Sequence, residues 1–266
     1  MSRVAVIGTG RMGMPMVSRL VADDHDVSAL GRSSDALDAI RTAGARAGQT
    51  FSEVVTPDTD VLLVVVLTDE QVREVCWAEE LRGQLRSGAT VVLHTTGSPS
   101  TATDLAAELA PRGVSVIDAA ISGGPHDIAA GALTVFAGGE ENVLDAVRPV
   151  LESYADPILH VGKLGSGQRV KLVNNAMFGA QIGLVRAGVD LAARLGLDEK
   201  SLLAALPNGS ANSRALGSIA RYGSVDEFTE RVREFVGKDV DVVRKVTAEL
   251  GGDLGPLDDL ITRIGI

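Results

Sequence analysis

The chain has 266 residues, 45% of them hydrophobic, and a formal net charge of −10. This length suits one large or two ordinary domains, and the acidic balance argues against nucleic acid as the main partner. The longest apolar run, residues 61–67, is far short of a membrane span, and the single cysteine, Cys76, excludes an intramolecular disulfide, so we expect a cytoplasmic protein with no membrane partner.

The first half of the chain alternates short β-branched runs with stretches of helical apolar spacing. The run at residues 61–66 has no polar face, which is typical of a central parallel strand buried on both sides. Strands separated by helices imply right-handed βαβ units and hence a doubly wound sheet. The predicted strands are residues 4–7, 27–30, 61–66, 90–93 and 114–117, and the predicted helices are residues 12–22 and 35–43.

The second half changes character after two further strands, predicted at residues 133–137 and 158–161. Residues 168–195 are rich in Ala and Leu and free of proline, which predicts one long helix. Its glycines at 179, 183 and 188 weaken an isolated helix, so their presence indicates close helix packing. Everything beyond is predicted to be helical, namely residues 199–205, 213–221, 225–249 with interruptions, and 256–264. The sequence therefore predicts an α/β domain over residues 1–164 and an all-helical domain for substrate binding and dimerisation over residues 165–266.

A glycine-rich loop with the pattern Gly8-x-Gly10-x-x-Gly13 follows the first predicted strand and opens the first predicted helix. In that context the pattern is typical of a dinucleotide-binding Rossmann domain, because the glycines allow a tight turn, close approach of a pyrophosphate and close helix packing. The helix N-terminus also favours phosphate. The alternative is a plain strand–helix turn. The predicted cofactor contacts here are Gly8, Thr9, Gly10, Arg11, Met12 and Gly13.

The end of the second predicted strand bears on which dinucleotide binds. NAD sites usually carry Asp or Glu at this point, whereas this chain has Gly31-Arg32-Ser33-Ser34. A guanidinium and hydroxyl groups suit a 2′-phosphate. Arg32 and Ser33 therefore predict NADP, with NAD as the alternative if Arg32 is only a solvated residue or stacks on adenine.

A second glycine pair occurs in Ser122-Gly123-Gly124, shortly after the predicted strand at residues 114–117. Adjacent glycines expose consecutive backbone N–H groups, which form a concave site for a carboxylate. The hydroxyl of Ser122 adds a donor. This segment predicts a small substrate that carries a carboxylate, and a purely structural turn is the alternative.

Lys171 and Asn175 lie four residues apart on the predicted long helix and therefore share one of its faces. Burying such groups on an otherwise apolar wall is costly. A partly desolvated lysine can supply the proton that carbonyl reduction requires, and the amide can orient a substrate. The alternative is a lysine whose stem packs while its ammonium group reaches water.

In this order, these segments resemble the β-hydroxyacid dehydrogenase family, which includes 3-hydroxyisobutyrate dehydrogenases, tartronate semialdehyde reductases and 6-phosphogluconate dehydrogenases. The resemblance runs from Val4 to about Asp241 and rests on the glycine loop, on residues 118–139 and on residues 165–175. It implies an NAD(P)-dependent enzyme that interconverts a short β-hydroxyacid and its semialdehyde. It also implies homodimers or tetramers that share the helical half.

The resemblance implies roles for individual residues as well. Lys171 matches the family's general acid/base, and Asn175 together with residues 122–124 matches the groups that hold the substrate carboxylate. Thr96 matches a threonine near the nicotinamide, and Lys238 matches a lysine that approaches the cofactor. Leu67, which follows the third predicted strand, is a further candidate cofactor contact. No metal site is expected.

The chain departs from the family pattern at several positions. His94 and Thr95 stand where an acidic or apolar residue and a serine are usual, and Arg231 falls about where an aromatic residue often covers the substrate. Pro125-His126-Asp127 is an unusual continuation of the double glycine, and His126 is either a substrate contact or a surface residue. These departures bear on substrate identity more than on hydride chemistry.

Two other functions fit parts of the sequence. The family resembles imine reductases in architecture, although those enzymes typically carry Asp or Tyr where Lys171 stands. A non-catalytic nucleotide-binding protein is the second alternative, and the presence of Lys171 together with Asn175 and Thr96 argues against it. Cys76, beside Trp77, is interpreted as a packing residue rather than a nucleophile.

Overall fold

The computed structural model describes residues 1–265 and divides into two compact units, Met1–Lys171 and Leu172–Ile266. The boundary between the units falls inside a helix that begins at Ser166. Ile266, the last residue of the predicted helical domain, lies outside the described residues.

The first unit contains a mostly parallel sheet of eight strands in the order β3-β2-β1-β4-β5-β6-β7-β8. Neighbouring strands are parallel except for the antiparallel pair β6–β7. The strand order reverses between β1 and β4, and the crevice at such a switch point is where doubly wound sheets bind ligands. The strands are β1 (Arg3–Ile7), β2 (Asp26–Leu30), β3 (Arg46–Gly48), β4 (Val61–Val64), β5 (Thr90–Leu93), β6 (Ser115–Ser122), β7 (Leu133–Gly138) and β8 (Ala155–Gly162).

Apolar clusters cover both faces of this sheet, as the doubly wound prediction requires. Because successive side chains of a strand point to opposite faces, Leu62 belongs to one cluster and Leu63 to the other. The helices of this unit are α1 (Gly13–Ala22), α2 (Ser34–Thr42), α3 (Phe51–Val54), α4 (Asp69–Cys76), α5 (Glu79–Gln84), α6 (Pro99–Leu109), α7 (Pro125–Ala129) and α8 (Glu141–Glu152).

Two strand predictions need correction, and one strand was missed. The strand predicted at residues 114–117 continues to Ser122, because residues 118–122 pair with β7. The strand predicted to end at residue 66 ends at Val64. The edge strand β3 was not predicted, since its three residues, Arg46–Gly48, are too few to show alternation.

The second unit is helical throughout, as predicted. One buried cluster brings together α9, α10, α11, α12 and residues near the end of the chain, with Ile182, Ile219 and Phe228 among its members. Helix α12 is continuous and not interrupted. Within residues 1–265, no helix combines the length and the apolarity needed to cross a membrane. The helices are α9 (Ser166–Arg194), α10 (Glu199–Ala205), α11 (Arg214–Tyr222), α12 (Val225–Glu249) and α13 (Pro256–Thr262).

The glycines of α9 test the predicted close packing. A Cβ atom at Gly183 would lie 1.8 Å from the carbonyl oxygen of Leu260, and one at Gly179 would lie 3.3 Å from the side chain of Ile261. Both positions therefore pack against α13. At Gly188 no atom of residues 1–265 outside the adjoining backbone of α9 lies within 4 Å of the point that a Cβ atom would occupy, so close packing is wrong for that residue.

We expect opposite effects from alanine at two of these glycines. Gly183→Ala should lower the free energy of unfolding by about 1–3 kcal/mol, because the methyl group overlaps backbone. Gly188→Ala should raise it by up to about 1 kcal/mol, because only helix propensity changes. Urea denaturation of both variants measures the difference, and equal effects would contradict the packing described for α9 and α13.

Candidate active site

The loop between β1 and α1 places its three glycines in three different environments. Gly8 has a φ of +107°, and a Cβ atom there would lie 2.3 Å from the carbonyl oxygen of Val65. A Cβ atom at Gly13 would lie 1.9 Å from the carbonyl oxygen of Gly8. At Gly10, no atom of the described residues beyond Gly10 and its two chain neighbours lies within 4 Å of that position. The fold therefore requires glycine at 8 and 13, whereas the space above Gly10 is open to a ligand.

The N-terminus of α1 has the features of a phosphate site. Its N-cap, Met12, provides no side-chain hydrogen bond to the first turn in the described structure. Within that turn, the N–H of Met14 donates to the carbonyl of Gly10 in the loop at 3.0 Å. The hydroxyl of Thr9 donates to the carbonyl of Leu30 at 2.9 Å, which fastens the loop to the end of β2. The arrangement fits the pyrophosphate of a dinucleotide.

Arg32 and Ser33, which lie shortly after β2, are exposed, as a site for the adenosine end of a cofactor would be. The Oγ atom of Ser33 accepts the N–H of Ala36 at 3.2 Å and caps α2, and its hydroxyl proton is still able to donate. Arg32 forms no ion pair with any residue among 1–265. Its guanidinium is therefore not committed to a protein carboxylate.

The double glycine lies directly after β6, with Ser122 as the last residue of the strand. Gly123 has a φ of +133°. The N–H of Gly124 donates to the carboxylate of Asp127 at 2.7 Å. Gly124 is the N-cap residue of α7. One of the N–H groups predicted to receive a substrate carboxylate is therefore bonded to Asp127, a contact that the sequence motif did not indicate.

Lys171 and Asn175 both lie on α9, one turn apart, and both side chains are buried. The Oδ1 atom of Asn175 accepts a hydrogen bond from Asn174 at 3.2 Å. Its Nδ2 atom is buried and has no hydrogen-bond partner among the described residues. An unsatisfied buried donor costs about 1–3 kcal/mol, so this donor fits a polar group of a bound ligand.

Asp118 lies inside β6 and is fully buried, although the predicted strand ended one residue earlier, at residue 117. Its carboxylate accepts the N–H of Gly165 at 2.6 Å and that of Gln168 at 2.7 Å. Burial raises the pKa of Asp118 to about 6, against the opposing effect of these N–H donors. Asp118 therefore fastens the first turn of α9, the helix that carries Lys171, to the sheet.

Two family models together match most of the chain. Residues 3–162 match the NAD binding domain of 6-phosphogluconate dehydrogenase. Residues 165–257 match the NAD-binding domain of NADP-dependent 3-hydroxyisobutyrate dehydrogenase. The chain belongs to the β-hydroxyacid dehydrogenase family. The prediction of a nicotinamide-dependent oxidoreductase is thereby confirmed.

Individual relatives agree with this family. A probable 3-hydroxyisobutyrate dehydrogenase of Mycobacterium bovis is 31% identical over 81% of this chain and 72% of its own length. A NAD-dependent L-serine dehydrogenase of Pseudomonas aeruginosa is 29% identical over 89% of this chain and 80% of its own. The solved structure of Mycobacterium tuberculosis 3-hydroxyisobutyrate dehydrogenase with L-serine is 26% identical and covers all of this chain and 93% of that one, with a TM-score of 0.87.

In this β-hydroxyacid dehydrogenase, several predicted cofactor residues follow neighbouring parallel strands. The glycine loop follows β1, the exposed Leu67 follows β4, and the buried Thr96 follows β5. The carboxyl ends of these strands meet at one edge of the sheet, which brings the three segments together. Lys238 lies in α12 of the second unit, and its contact with the cofactor stays a prediction.

The remaining departures from the family pattern have local explanations. Arg231 lies over the ring of Tyr222 at 5.6 Å within the second unit. His126 is largely exposed, and its Nε2 atom lies 3.4 Å from the carboxylate of Asp127.

Cys76 is buried among apolar residues, and burial raises the pKa of its thiol to about 12. A thiol in that state is not a nucleophile, so its interpretation as a packing residue is confirmed.

His94 has a structural role that its position after β5 did not suggest. Its Nδ1 atom lies 2.6 Å from the carbonyl oxygen of Ala119, so Nδ1 donates, and its Nε2 atom accepts from the hydroxyl of Tyr154 at 2.8 Å. Burial lowers the pKa of His94 from 6.5 to about 4. The ring is therefore neutral at pH 7 and joins β5 to β6.

This lowered pKa predicts a pH-dependent contribution to stability. Between pH 7 and pH 5 the unfolded chain binds a proton at His94 that the folded chain does not, so unfolding becomes easier as the pH falls. The stability advantage of the natural chain over His94→Gln should shrink by about 2 kcal/mol across that interval. Urea denaturation at both pH values measures it, and a constant advantage would contradict the neutral, buried ring.

Proposed function

We propose that this chain is a NADP-dependent oxidoreductase that interconverts a short β-hydroxyacid and its semialdehyde, with Lys171 as general acid/base. The observation that carries the proposal is the pairing, one helical turn apart, of buried Lys171 with the buried Nδ2 donor of Asn175, which has no hydrogen-bond partner within residues 1–265. A carbonyl or alkoxide oxygen is the ligand that suits both groups, because the amide can bond to it while the lysine exchanges its proton.

The residues divide the chemistry between them. When bound, the nicotinamide cofactor accepts or donates the hydride. In the direction of oxidation, the neutral amine of Lys171 takes the hydroxyl proton of the substrate, and in reduction its ammonium returns that proton to the forming alkoxide. Asn175 Nδ2 is proposed to donate to the same oxygen, and not to the carboxylate, which is the group that the family resemblance implied for it. The hydroxyl of Ser122 and the backbone at Gly123 bind the carboxylate, so that the reacting carbon is held in one orientation.

The preference for NADP is supported by the exposed and uncommitted Arg32 and by the hydroxyl of Ser33. Arg32→Ala should raise the KM for NADP by about 10- to 100-fold, the loss of one charge-assisted phosphate contact, and leave the KM for NAD nearly unchanged. Initial rates with each cofactor measure this. If the KM values for NADP and NAD change equally, Arg32 contacts the adenine or only solvent and does not bind a 2′-phosphate. That result would favour the alternative in which the cofactor is NAD.

The substrate is best tested with a panel of short hydroxyacids: hydroxyisobutyrate, glycerate, hydroxybutyrate, serine and sulfolactate. Each is assayed with NADP and NAD in parallel, together with a set of cyclic imines and NADPH. Turnover of at least one β-hydroxyacid supports the proposal. Imine reduction without hydroxyacid oxidation would replace it with the imine reductase alternative, and cofactor binding without any turnover would favour a non-catalytic nucleotide-binding role.

We also propose that the chain acts in the cytoplasm as a homodimer or tetramer formed through its helical half. Helix α9 carries large apolar side chains that remain exposed, and contiguous exposed apolar surface is typical of protein interfaces. Light scattering after gel filtration tests the proposal, and a monomer at micromolar concentration would overturn it. The exposed apolar residues on this helix are Val173, Met177, Leu184 and Leu191.

A further inference from the structure

A buried polar junction joins the first turn of α9 to the segment after β5. Gln168 is only 3% exposed. Its Nε2 atom donates to the carbonyl of Thr95 at 2.8 Å, and its Oε1 atom accepts the N–H of Gly97 at 3.0 Å. Its own backbone N–H donates to Asp118 at 2.7 Å. Gln168 therefore contacts both residues 95–97, which follow β5, and Asp118 in strand β6.

The chemistry of this junction is specific for a carboxamide. The carbonyl of Thr95 requires a donor and the N–H of Gly97 requires an acceptor, and the side chain of Gln168 provides one of each. An ionised carboxylate offers acceptors alone, and a thioether leaves both groups unsatisfied. A buried polar group left without a partner destabilises the folded chain, so residues 95–97 would move to reach water or another partner.

The junction lies between two residues that the proposed reaction uses. Thr96, the residue matched to the nicotinamide side of the site, stands between the two backbone groups that Gln168 contacts. Lys171 follows Gln168 by three residues on α9 and so lies on the adjacent turn of the same face. Neither Gln168 nor Asp118 needs to touch a ligand in order to influence this geometry.

We propose that Gln168 is a positioning residue. It holds residues 95–97, which include Thr96, at a fixed position relative to Lys171. The inference rests on the proposed roles of Lys171 and Thr96. Proton and hydride transfer require their partners at a fixed separation, and a misplacement of about 1 Å costs about 10²-fold in rate. Losing the junction therefore lowers kcat. It leaves the KM for the hydroxyacid nearly unchanged, because Ser122 and the backbone at Gly123 are the groups proposed to bind the carboxylate.

The test compares Gln168→Met and Gln168→Glu with Gln181→Met. Gln181 is a matched control, since it lies on the same helix and its side chain forms no hydrogen bond with any residue in the described part of the chain. We expect Gln168→Met to lower kcat by about 10- to 100-fold with KM within about two-fold, and Gln181→Met to match the natural chain. If Gln168→Met does not fold, Gln168→Glu, which keeps the side-chain volume, carries the test.

The pH dependence of Gln168→Glu separates positioning from general damage. A protonated glutamic acid can donate to Thr95 and accept from Gly97 as the glutamine does, whereas its carboxylate cannot. Burial favours the protonated form of such a glutamate. The kcat of Gln168→Glu relative to the natural chain should therefore rise as the pH falls from 8 to 6. A ratio that stays flat would overturn the positioning role.

A measurement on the chain without cofactor or substrate makes the inference independent of turnover. Hydrogen–deuterium exchange at the peptide containing Thr95–Gly97 should accelerate at least about 10-fold in Gln168→Met, because the Gly97 N–H loses its acceptor. Gln181→Met should leave it unchanged. Absent turnover in the natural chain would defeat the proposed function alone. Unchanged exchange or unchanged kcat in Gln168→Met would defeat the positioning role.

Discussion

Replacing Lys171 by alanine should reduce turnover by about 10²- to 10⁴-fold, the contribution expected from a general acid/base. The affinity for cofactor should stay within about two-fold of the natural value, because the glycine loop after β1, and not α9, is proposed to hold the phosphates. Steady-state kinetics with the best substrate of the panel and fluorescence titration with NADPH measure the two effects separately.

Arginine at the same position separates charge from proton transfer. Lys171→Arg retains a positive charge, but a guanidinium does not give up its proton at neutral pH, so it should be nearly as inactive as Lys171→Ala. Lys163→Ala is the matched control, because Lys163 is an exposed lysine shortly before α9. Retention of more than about a tenth of the natural kcat in Lys171→Arg would show that Lys171 supplies charge and not a proton.

A bulky residue at Gly10 should abolish cofactor binding while leaving the fold intact. Apart from Gly10 and its two chain neighbours, the part of the chain that the structure describes has no atom within 4 Å of a Cβ position at Gly10, so Gly10→Leu should unfold at the same urea concentration as the natural chain. The side chain would occupy the space through which the backbone approaches a pyrophosphate. We expect the Kd for NADPH to rise by at least about 100-fold, equivalent to about 3 kcal/mol.

Two other glycines provide the controls for this result. Gly13→Ala should instead lower the free energy of unfolding, because its methyl group would lie 1.9 Å from the carbonyl oxygen of Gly8. Gly217→Leu should affect neither stability nor cofactor binding strongly, since Gly217 is equally open and lies in the second unit. Unchanged NADPH affinity in Gly10→Leu would place the cofactor elsewhere.

The features that depend on local pattern were predictable from the sequence. The buried run that forms β4 lacks a polar face, the glycine loop follows a strand and opens a helix, and the apolar, proline-free stretch of α9 excludes a break. Each of these signals is contained within one segment. The doubly wound order followed from them because parallel βαβ units admit few arrangements.

The features that depend on distant partners were not predictable. Asp118 lies one residue beyond the predicted strand, but pairing with β7 keeps it inside β6, and its partners Gly165 and Gln168 lie far along the chain. His94 looked like an unexplained substitution until Tyr154 was placed beside it. No periodicity in the sequence reports such contacts, because the residues involved are joined only by the folded sheet.

Isotope transfer tests the central claim most directly. The best β-hydroxyacid of the panel, carrying deuterium on its hydroxyl-bearing carbon, is incubated with the chain and the oxidised cofactor, and the reduced cofactor is examined by mass spectrometry. A hydride-transferring β-hydroxyacid dehydrogenase should deliver one deuterium to the nicotinamide ring for each semialdehyde formed, and Lys171→Ala should deliver almost none in the same time. Reduced cofactor without deuterium, or undiminished transfer by Lys171→Ala, would contradict the mechanism proposed for this site.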